Sequence, residues 1–201
     1  MKRDTESFTF AIDQQESLYQ GFYKMDQLTI RHQRFDGGEQ MIKRELMDRH
    51  DAVCVLLVDF ARDQVVLVEQ FRVGALRETN PWLIELVAGL IDKDEEPEQV
   101  ARREAREEAG VDIGRMEFIR RYLPSPGGTN ECIYLYVGEV DSQKAHGLHG
   151  LEAEGEDIRV LTPSLSDTYR WMEEGKINNA ASIIALQWLQ LHASALKEKW
   201  A

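Results

Sequence analysis

The sequence has few of the features that mark secreted, membrane-spanning or zinc-binding proteins. It has only two cysteines, Cys54 and Cys132, among 201 residues. Both lie in apolar runs without the close spacing of a zinc site, so we expect two buried thiols in a reducing compartment, the cytoplasm. No apolar run approaches the ~18 residues that span a membrane, and the charged N-terminal segment lacks the apolar stretch of a secretory signal.

Basic residues are fewer than acidic residues in this sequence. Lys and Arg number 24 against 36 Asp and Glu, which gives a formal net charge of −12. Such a surface repels nucleic acid and anionic lipid unless a bound cation or a local basic patch reverses the field. We therefore expect neither a nucleic-acid partner nor a membrane partner. The hydrophobic content of 43% is that of a globular protein and argues against disorder.

The first quarter of the chain has the pattern of a small antiparallel sheet. Residues 1 to about 14 are polar and are expected to fray. Strand-like sequence then extends from Leu18 to Asp48 and is interrupted by an Asp-Gly pair, which is typical of hairpin turns. We expect residues 1–50 to form a separate sheet region and residues 51–201 to form the main domain.

The remaining sequence mixes strands and helices. The runs AVCVLLVDF and QVVLVEQFRV favour a hairpin with both faces buried, and PWLIELVAG favours one further strand. Pro97 and Gly110 fit the first position and the end of a helix, and Ser164 and Asn179 fit the caps of two more. This order indicates an α+β protein or a helix–sheet–helix sandwich rather than a doubly wound sheet.

The helix after Pro97 carries a row of acidic residues. Glu104, Glu107 and Glu108 share one face near its C-terminal end, where each like-charged pair costs about 0.2–0.5 kcal/mol. A solvated face neutralised by neighbouring arginines is the simplest interpretation. However, the apolar stripe of this helix consists mostly of alanines, so it should pack closely against a sheet with its acidic face poorly solvated. Such a row of carboxylates suits a hard cation such as Mg²⁺ or Mn²⁺.

The segment GLIDKDEEPEQVARREAREEAGV, residues 89–111, resembles the Nudix box in every defined position. The resemblance implies the Nudix fold, an α/β/α sandwich with a mixed sheet, preceded here by the N-terminal antiparallel sheet. It also implies hydrolysis of a nucleoside diphosphate linked to another moiety, with Mg²⁺ as cofactor and Mn²⁺ as a substitute. Four motif residues would be structural: Gly89, Glu95, Arg103 and Gly110. We expect Arg103 to pair with either Glu85 or Glu95.

Nearly the whole chain resembles one branch of that family, the bacterial ADP-ribose pyrophosphatases. SPGGTNE, residues 125–131, follows the box at the distance where those enzymes have a proline, here Pro126. The N-terminal block with GFY and KRELMDR resembles their dimer-forming sheet, and the tail EEGKINNAASIIALQWLQLH is also similar. The resemblance implies hydrolysis of ADP-ribose to AMP and ribose 5-phosphate by a cytoplasmic homodimer whose N-terminal sheets can exchange between subunits.

The resemblance further implies catalytic roles for individual residues. Glu104 and Glu108 would be catalytic as metal ligands, with the carbonyl of Ala88 and the carboxylate of Glu156 completing the set. Glu154, in the acidic sequence LEAEGED, would be the general base that activates water. Without the resemblance, Glu154 has the pattern of a solvated loop residue. His146 and His149 are interpreted as polar groups of this loop region rather than as metal ligands.

Substrate contacts are implied in the same way. Phe22 or Tyr23 would stack on adenine, and Arg44 and Glu45 would come from the second subunit. Without the resemblance, sheet packing is the simpler interpretation of Phe22. Arg72 would contact phosphate or ribose, or else be an exposed charge at a strand end. The other residues implied to line the substrate site are Arg49, Leu90, Ser125, Pro126, Gly127 and Glu131.

Two other functions stay open at this point. One is hydrolysis of GDP-mannose or another nucleoside diphosphate sugar, which the adenine contacts and the Pro126 segment argue against. The other is a non-catalytic module that senses ADP-ribose. Such a module should have lost a metal-binding glutamate, whereas Glu104 and Glu108 are both present.

Overall fold

A computed structural model describes residues 8–92 and 94–201, apart from the side chain of Glu154. The contacts within the chain divide it into two units. The described part of the first unit comprises residues 8–50 and 123–131. The second unit comprises residues 51–122, without residue 93, and residues 132–201.

The first unit contains a three-stranded antiparallel sheet. Its strands, in spatial order, are β1 (Phe10–Gln20), β2 (Lys24–Gln33) and β3 (Glu39–Asp48). The predicted Asp-Gly turn joins β2 to β3, with Gly37 at a φ of 91°. The expected fraying of residues 1–14 is wrong from Phe10 onward, because backbone pairing with β2 orders this polar segment. Residues 1–7 lie outside the described residues.

The segment 123–131 joins the first unit through hydrogen bonds to the end of β3. The N–H of Met47 donates to the carbonyl oxygen of Gly128 at 2.8 Å, and the N–H of Arg49 donates to Oδ1 of Asn130 at 3.0 Å. The N–H groups of Gly128 and Thr129 both donate to the carbonyl oxygen of Ser125 at 3.1 Å, which closes the turn. The loop is therefore held at the end of β3 by backbone and side-chain hydrogen bonds.

The second unit, within the described residues, has one mixed sheet of eight strands and three α-helices. The strands are β4 (Ala52–Asp59), β5 (Gln64–Phe71), β6 (Trp82–Glu85), β7 (Val87–Leu90), β8 (Met116–Tyr122), β9 (Ile133–Glu139), β10 (Leu148–His149) and β11 (Ile158–Leu161). The helices are α1 (Pro97–Ala109), α2 (Leu165–Glu173) and α3 (Ala180–Trp200). The main strand order is β10-β11-β5-β4-β9-β8, with β6 beside β5 and β7 beside β4. Strands β4 and β9 run parallel, and β4 runs antiparallel to β5 and β7.

Helices cover both faces of this sheet. Strand β4 is buried along its whole length. Val53 and Val55 belong to the cluster that includes the apolar residues of α1, whereas Cys54 and Leu56 belong to the cluster that includes Leu186 of α3. The predicted α/β/α sandwich and the doubly buried β4–β5 hairpin are both confirmed.

The run PWLIELVAG forms two strands, so the prediction of one strand is wrong. Residues 82–85 pair with β5, and residues 87–90 pair with β4. Leu86, between them, is buried. A continuous apolar run indicates burial but not which strand is the neighbour, and here the chain changes neighbours halfway along.

The predicted starts of the three α-helices and the predicted end of α1 are confirmed. Helix α1 starts at Pro97, where Gln99 accepts a hydrogen bond from the N–H of Glu96 at 3.0 Å, and Gly110 ends it at a φ of 67°. Ser164 and Asn179 cap α2 and α3, each accepting a backbone N–H at 3.1 Å. No helix in the described part of the chain has the length and apolar character to cross a bilayer.

Candidate active site

The acidic face of α1 packs against the end of β7. The N–H of Ala88 donates to Oε2 of Glu108 at 3.0 Å. A Cβ on Gly89 would overlap the carboxylate of Glu104. A side chain at position 89 would therefore displace the Glu104 carboxylate, and both carboxylates are held at this junction.

The two carboxylates are poorly solvated and close to other negative charges. Glu108 is only 3% exposed, and burial raises its pKa to about 8, with the charges of Glu104 and Glu156 adding to the shift. Burial likewise raises the pKa of Glu104 to about 7, and Glu107 and Glu156 contribute in the same direction. The folded chain therefore resists having both groups ionised, which is the condition that a bound cation would relieve.

Arg103 links the acidic face to the loop before α1. Its Nη1 donates to Glu104 at 2.7 Å and to Glu107 at 3.0 Å, and its Nη2 donates to Glu95 at 3.3 Å. Burial lowers the pKa of Arg103, but the neighbouring carboxylates outweigh burial and the net pKa is raised. Of the two expected partners, Glu95 is therefore the one that Arg103 contacts.

Glu85, the other expected partner, pairs instead with Arg72. The Nε of Arg72 donates to Oε2 of Glu85 at 2.7 Å. Burial lowers the pKa of Arg72, whereas the charges of Glu85 and Glu108 raise it, with a net increase. Arg72 is therefore held in place close to the acidic face rather than being a loose charge at a strand end. The β5–β6 pairing, in which Glu85 lies opposite Val68, creates this contact, and sequence spacing alone does not reveal it.

The loop that carries the predicted base lies between β10 and β11. We call residues 150–157 the acidic loop. Within it, the N–H of Leu151 donates to Oε2 of Glu156 at 3.0 Å. The side chain of Glu154 lies outside what the structure describes, so its role as general base stays a prediction. The negative charge of Glu156 contributes to the raised pKa of both Glu104 and Glu108.

Another group of predicted residues meets within the first unit. The guanidinium carbon of Arg49 lies 5.0 Å from the ring centroid of Tyr23, and Arg49 pairs with Glu131 at 2.9 Å. The rings of Phe22 and Tyr23 pack edge to face with centroids 4.8 Å apart, and Phe22 is 80% exposed. An exposed aromatic ring beside a stacked arginine can offer a face to a nucleobase.

The other predicted substrate residues lie in simpler surroundings. Arg44 and Glu45 are exposed on β3, and Ser125, Pro126 and Gly127 are exposed in the turn before β9. Leu90 is half-buried against the cluster on the α3 face of the sheet, opposite the face that α1 covers. Roles for these residues in substrate binding stay predictions.

The side chains that meet at this junction are candidates for holding a metal ion, and their donor atoms are carboxylate oxygens. No group of three or more His, Cys, Asp or Glu side chains lies close enough together to hold a metal among the residues whose side chains are described. Glu104 and Glu108 carry oxygen atoms, the donor type that Mg²⁺ prefers, and their role as metal ligands stays a prediction. His149 donates from Nε2 to the carbonyl oxygen of His146 at 2.9 Å, as expected for polar groups of the loop.

Comparison with known proteins places this geometry in context. The family model described as NUDIX domain matches residues 48–184. An ADP-ribose pyrophosphatase of Escherichia coli (strain K12) is 50% identical over 188 residues, which cover 92% of this chain and 90% of the relative. One of Haemophilus influenzae is 42% identical over 191 residues, covering 92% and 88%. A GDP-mannose pyrophosphatase of Cronobacter sakazakii is 36% identical over 176 residues, covering 87% and 91%.

A solved structure also shares the fold. The crystal structure of an ADP compounds hydrolase matches with a TM-score of 0.66 and covers 90% of this chain and 94% of that chain. The sequence identity to it is 20%, so this likeness concerns the fold alone.

Proposed function

The chain belongs to the NUDIX domain family, and from this premise we propose that it hydrolyses the diphosphate of ADP-ribose to AMP and ribose 5-phosphate. The observation that carries the proposal is the pair of poorly solvated carboxylates, the half-buried Glu104 and the buried Glu108, held against residues 88–89. This pair lies in the part of the chain that the family model matches. The ADP-ribose pyrophosphatases that align along most of the chain support the choice of substrate.

The proposed cofactor is a divalent cation, with Mg²⁺ as the expected ion and Mn²⁺ as a substitute. Glu104, Glu108 and Glu156, with the carbonyl oxygen of Ala88, would hold it. When bound, such a cation neutralises diphosphate charge and increases the acidity of a coordinated water. The protein carries a net charge of −12, so it needs this neutralisation to accept an anionic substrate.

The chain's own groups would then orient the substrate and the attacking water. Arg103 keeps Glu104 in one orientation through their 2.7 Å hydrogen bond, which limits how far that carboxylate can turn. Arg72, held at Nε by Glu85, can direct its two terminal nitrogens at a phosphate oxygen. We assign removal of the water proton to the carboxylate of Glu154 and adenine stacking to Phe22 and Tyr23.

We further propose that the enzyme is a cytoplasmic homodimer whose subunits meet through residues 1–50. Strand β1 exposes several large apolar side chains, which favours burial against another protein surface: Phe10, Ile12, Leu18 and Tyr19. The two buried cysteines suit a reducing compartment.

The decisive experiment is a product assay on ADP-ribose with and without Mg²⁺. Purified protein at neutral pH should form AMP and ribose 5-phosphate in equal amounts, and a chelator should stop the reaction. Cleavage that yields adenosine or free phosphate would place the broken bond elsewhere. Absence of cleavage with either Mg²⁺ or Mn²⁺ would refute the proposal.

Hydrolysis of GDP-mannose is the second candidate, because a relative of that name also aligns with most of the chain. The two activities can be separated by measuring kcat/KM on both substrates under one set of conditions. We expect ADP-ribose to be preferred. A preference of about 100-fold for GDP-mannose, equivalent to roughly 2.7 kcal/mol of transition-state binding, would overturn our choice of substrate.

A further inference from the structure

His149 lies directly against the glycine that ends α1. A Cβ placed on Gly110 would be 2.8 Å from Cε1 of the His149 ring. Gly110 also has a φ of 67°, which glycine adopts without steric cost. Position 110 is therefore constrained twice, once by the backbone turn at the helix end and once by the histidine ring.

The same edge of the His149 ring also makes a hydrogen bond. Its Nε2–H donates to the carbonyl oxygen of His146 at 2.9 Å. Because a carbonyl oxygen only accepts, this contact requires the proton to be on Nε2. His149 also pairs with Ile158 in the β10–β11 ladder, so the ring and the backbone of this residue are both held.

The two ends of the acidic loop therefore both rest on α1. Before the loop, His149 lies against Gly110. After the loop, Ile158 is fully buried in the cluster that includes Ala105 and Ala109 of α1. The acidic loop spans only residues 150–157. Because it is short, movement of either end should also move its backbone.

Close contacts within the acidic loop link the two residues that follow His149 to Glu156. Gly150, the next residue, has a φ of 104°, and a Cβ there would lie 2.7 Å from Cβ of Glu156. The N–H of Leu151 binds the carboxylate of Glu156 at 3.0 Å. A displaced His149 would thus move the residues that hold this carboxylate.

We propose that His149 is a positioning residue that fixes the acidic loop, with Glu154 and Glu156, to the helix that carries Glu104 and Glu108. The ring acts as a spacer between Gly110 and the start of the loop, and it does not touch the substrate. The catalytic part of this inference rests on the proposed function, whereas the mechanical part concerns the folded chain alone.

The first test compares His149→Ala with the wild-type protein in two measurements. Hydrogen exchange of the amides of residues 150–157 should accelerate by about tenfold or more once the spacer is removed. Turnover of ADP-ribose should fall by about tenfold in kcat with little change in KM, because the catalytic geometry loosens while substrate contacts remain. Unchanged exchange and unchanged kcat would overturn the proposal.

His192→Ala is the matched control. His192 also contacts a backbone carbonyl through its ring, that of Trp188 at 2.7 Å, but it lies on α3 and stacks on the Trp188 ring. This variant should leave exchange in residues 150–157 and kcat at wild-type values. An equal effect of both histidine variants would show a general loss of stability and would contradict a specific role for His149.

The second test approaches the same contact from the helix. Asparagine tolerates the left-handed conformation, so Gly110→Asn should keep the helix end while its Cβ displaces the ring. We expect Gly110→Asn to lower kcat by about tenfold and His149→Ala to add little further loss in the double variant. Fully additive losses would overturn the proposal, because they would show that the two residues act separately.

His149→Phe gives an additional check on folding. A phenyl ring can fill the same space without the hydrogen bond, so this variant should retain most of the wild-type protection and kcat. If it behaves like His149→Ala, the spacer function is refuted.

If the wild-type protein does not cleave ADP-ribose at all, the proposed function fails, while the exchange measurements still decide the mechanical part.

Discussion

Arg72 donates from Nε to the carboxylate of Glu85 at 2.7 Å. This hydrogen bond uses Nε, the guanidinium nitrogen farthest from the end of the side chain. The two terminal nitrogens therefore remain able to bind a phosphate as a planar pair. Glu85 thus both fixes the arginine and determines which of its nitrogens face outward.

Replacement of Arg72 by lysine should weaken the proposed contact with the substrate phosphate while keeping the positive charge. An ammonium group has neither the planar pair of donors nor the Nε that binds Glu85. We expect KM for ADP-ribose to rise by about tenfold, with a smaller change in kcat, in steady-state assays. The control is Arg115→Lys, which affects an exposed arginine paired with Glu139 at 2.6 Å. Equal KM values for Arg72→Lys and wild type would contradict a substrate contact.

The space beside Glu104 leads to a prediction about Gly89. An alanine at position 89 would place its Cβ where the Glu104 carboxylate lies. The carboxylate would have to turn away, so activity should fall by about 100-fold while the circular dichroism spectrum stays that of the folded protein. Gly74→Ala is the control, because a Cβ at position 74 meets nothing within 4 Å. Full activity in Gly89→Ala would show that the orientation of Glu104 does not matter.

The raised pKa of Glu108 predicts a pH-dependent stability in the absence of metal. Its folded pKa of about 8 lies above the ordinary value of 4.5, so its contribution to the unfolding free energy is complete below pH 4.5 and is lost as pH rises through 8. Glutamine can still accept the N–H of Ala88 but cannot ionise. Between pH 5 and pH 8, the melting temperature of Glu108→Gln should therefore fall by several degrees less than that of the wild-type protein.

Metal addition extends the same experiment. Mg²⁺ at pH 8 should raise the melting temperature of the wild-type protein, because an ion that binds only the folded state stabilises it. It should raise that of Glu108→Gln much less, and the variant should lose most of its turnover. Identical metal-induced shifts in the two proteins would remove Glu108 from the set of metal ligands.

The acidic loop provides a test of the general base. Glu154→Gln should lower kcat by about 10²–10⁴-fold, the usual contribution of a positioned base, with little effect on substrate affinity. Glu152→Gln, two residues earlier in the loop, serves as the control and should retain wild-type kcat. If Glu154→Gln weakens binding of a non-hydrolysable analogue as strongly as it lowers kcat, Glu154 is a binding residue instead.

The sequence by itself determined the elements whose ends depend on near neighbours. Helix α1 begins at Pro97 and ends before Gly110, because the first position, the cap and the left-handed turn are local properties of the chain. The spacing of Glu104 and Glu108 on one helical face is equally local. These features identified the acidic motif and the class of chemistry.

Only the tertiary structure decided which distant groups meet. The run PWLIELVAG divides between β5 and β4, and this division brings Glu85 to Arg72 and leaves Arg103 to Glu95. The contact of His149 with Gly110 likewise depends on β10 pairing with β11 beside α1. Sequence patterns report burial and turn preference, whereas strand pairing depends on the packing of all segments together, so these partners became visible only in the folded chain.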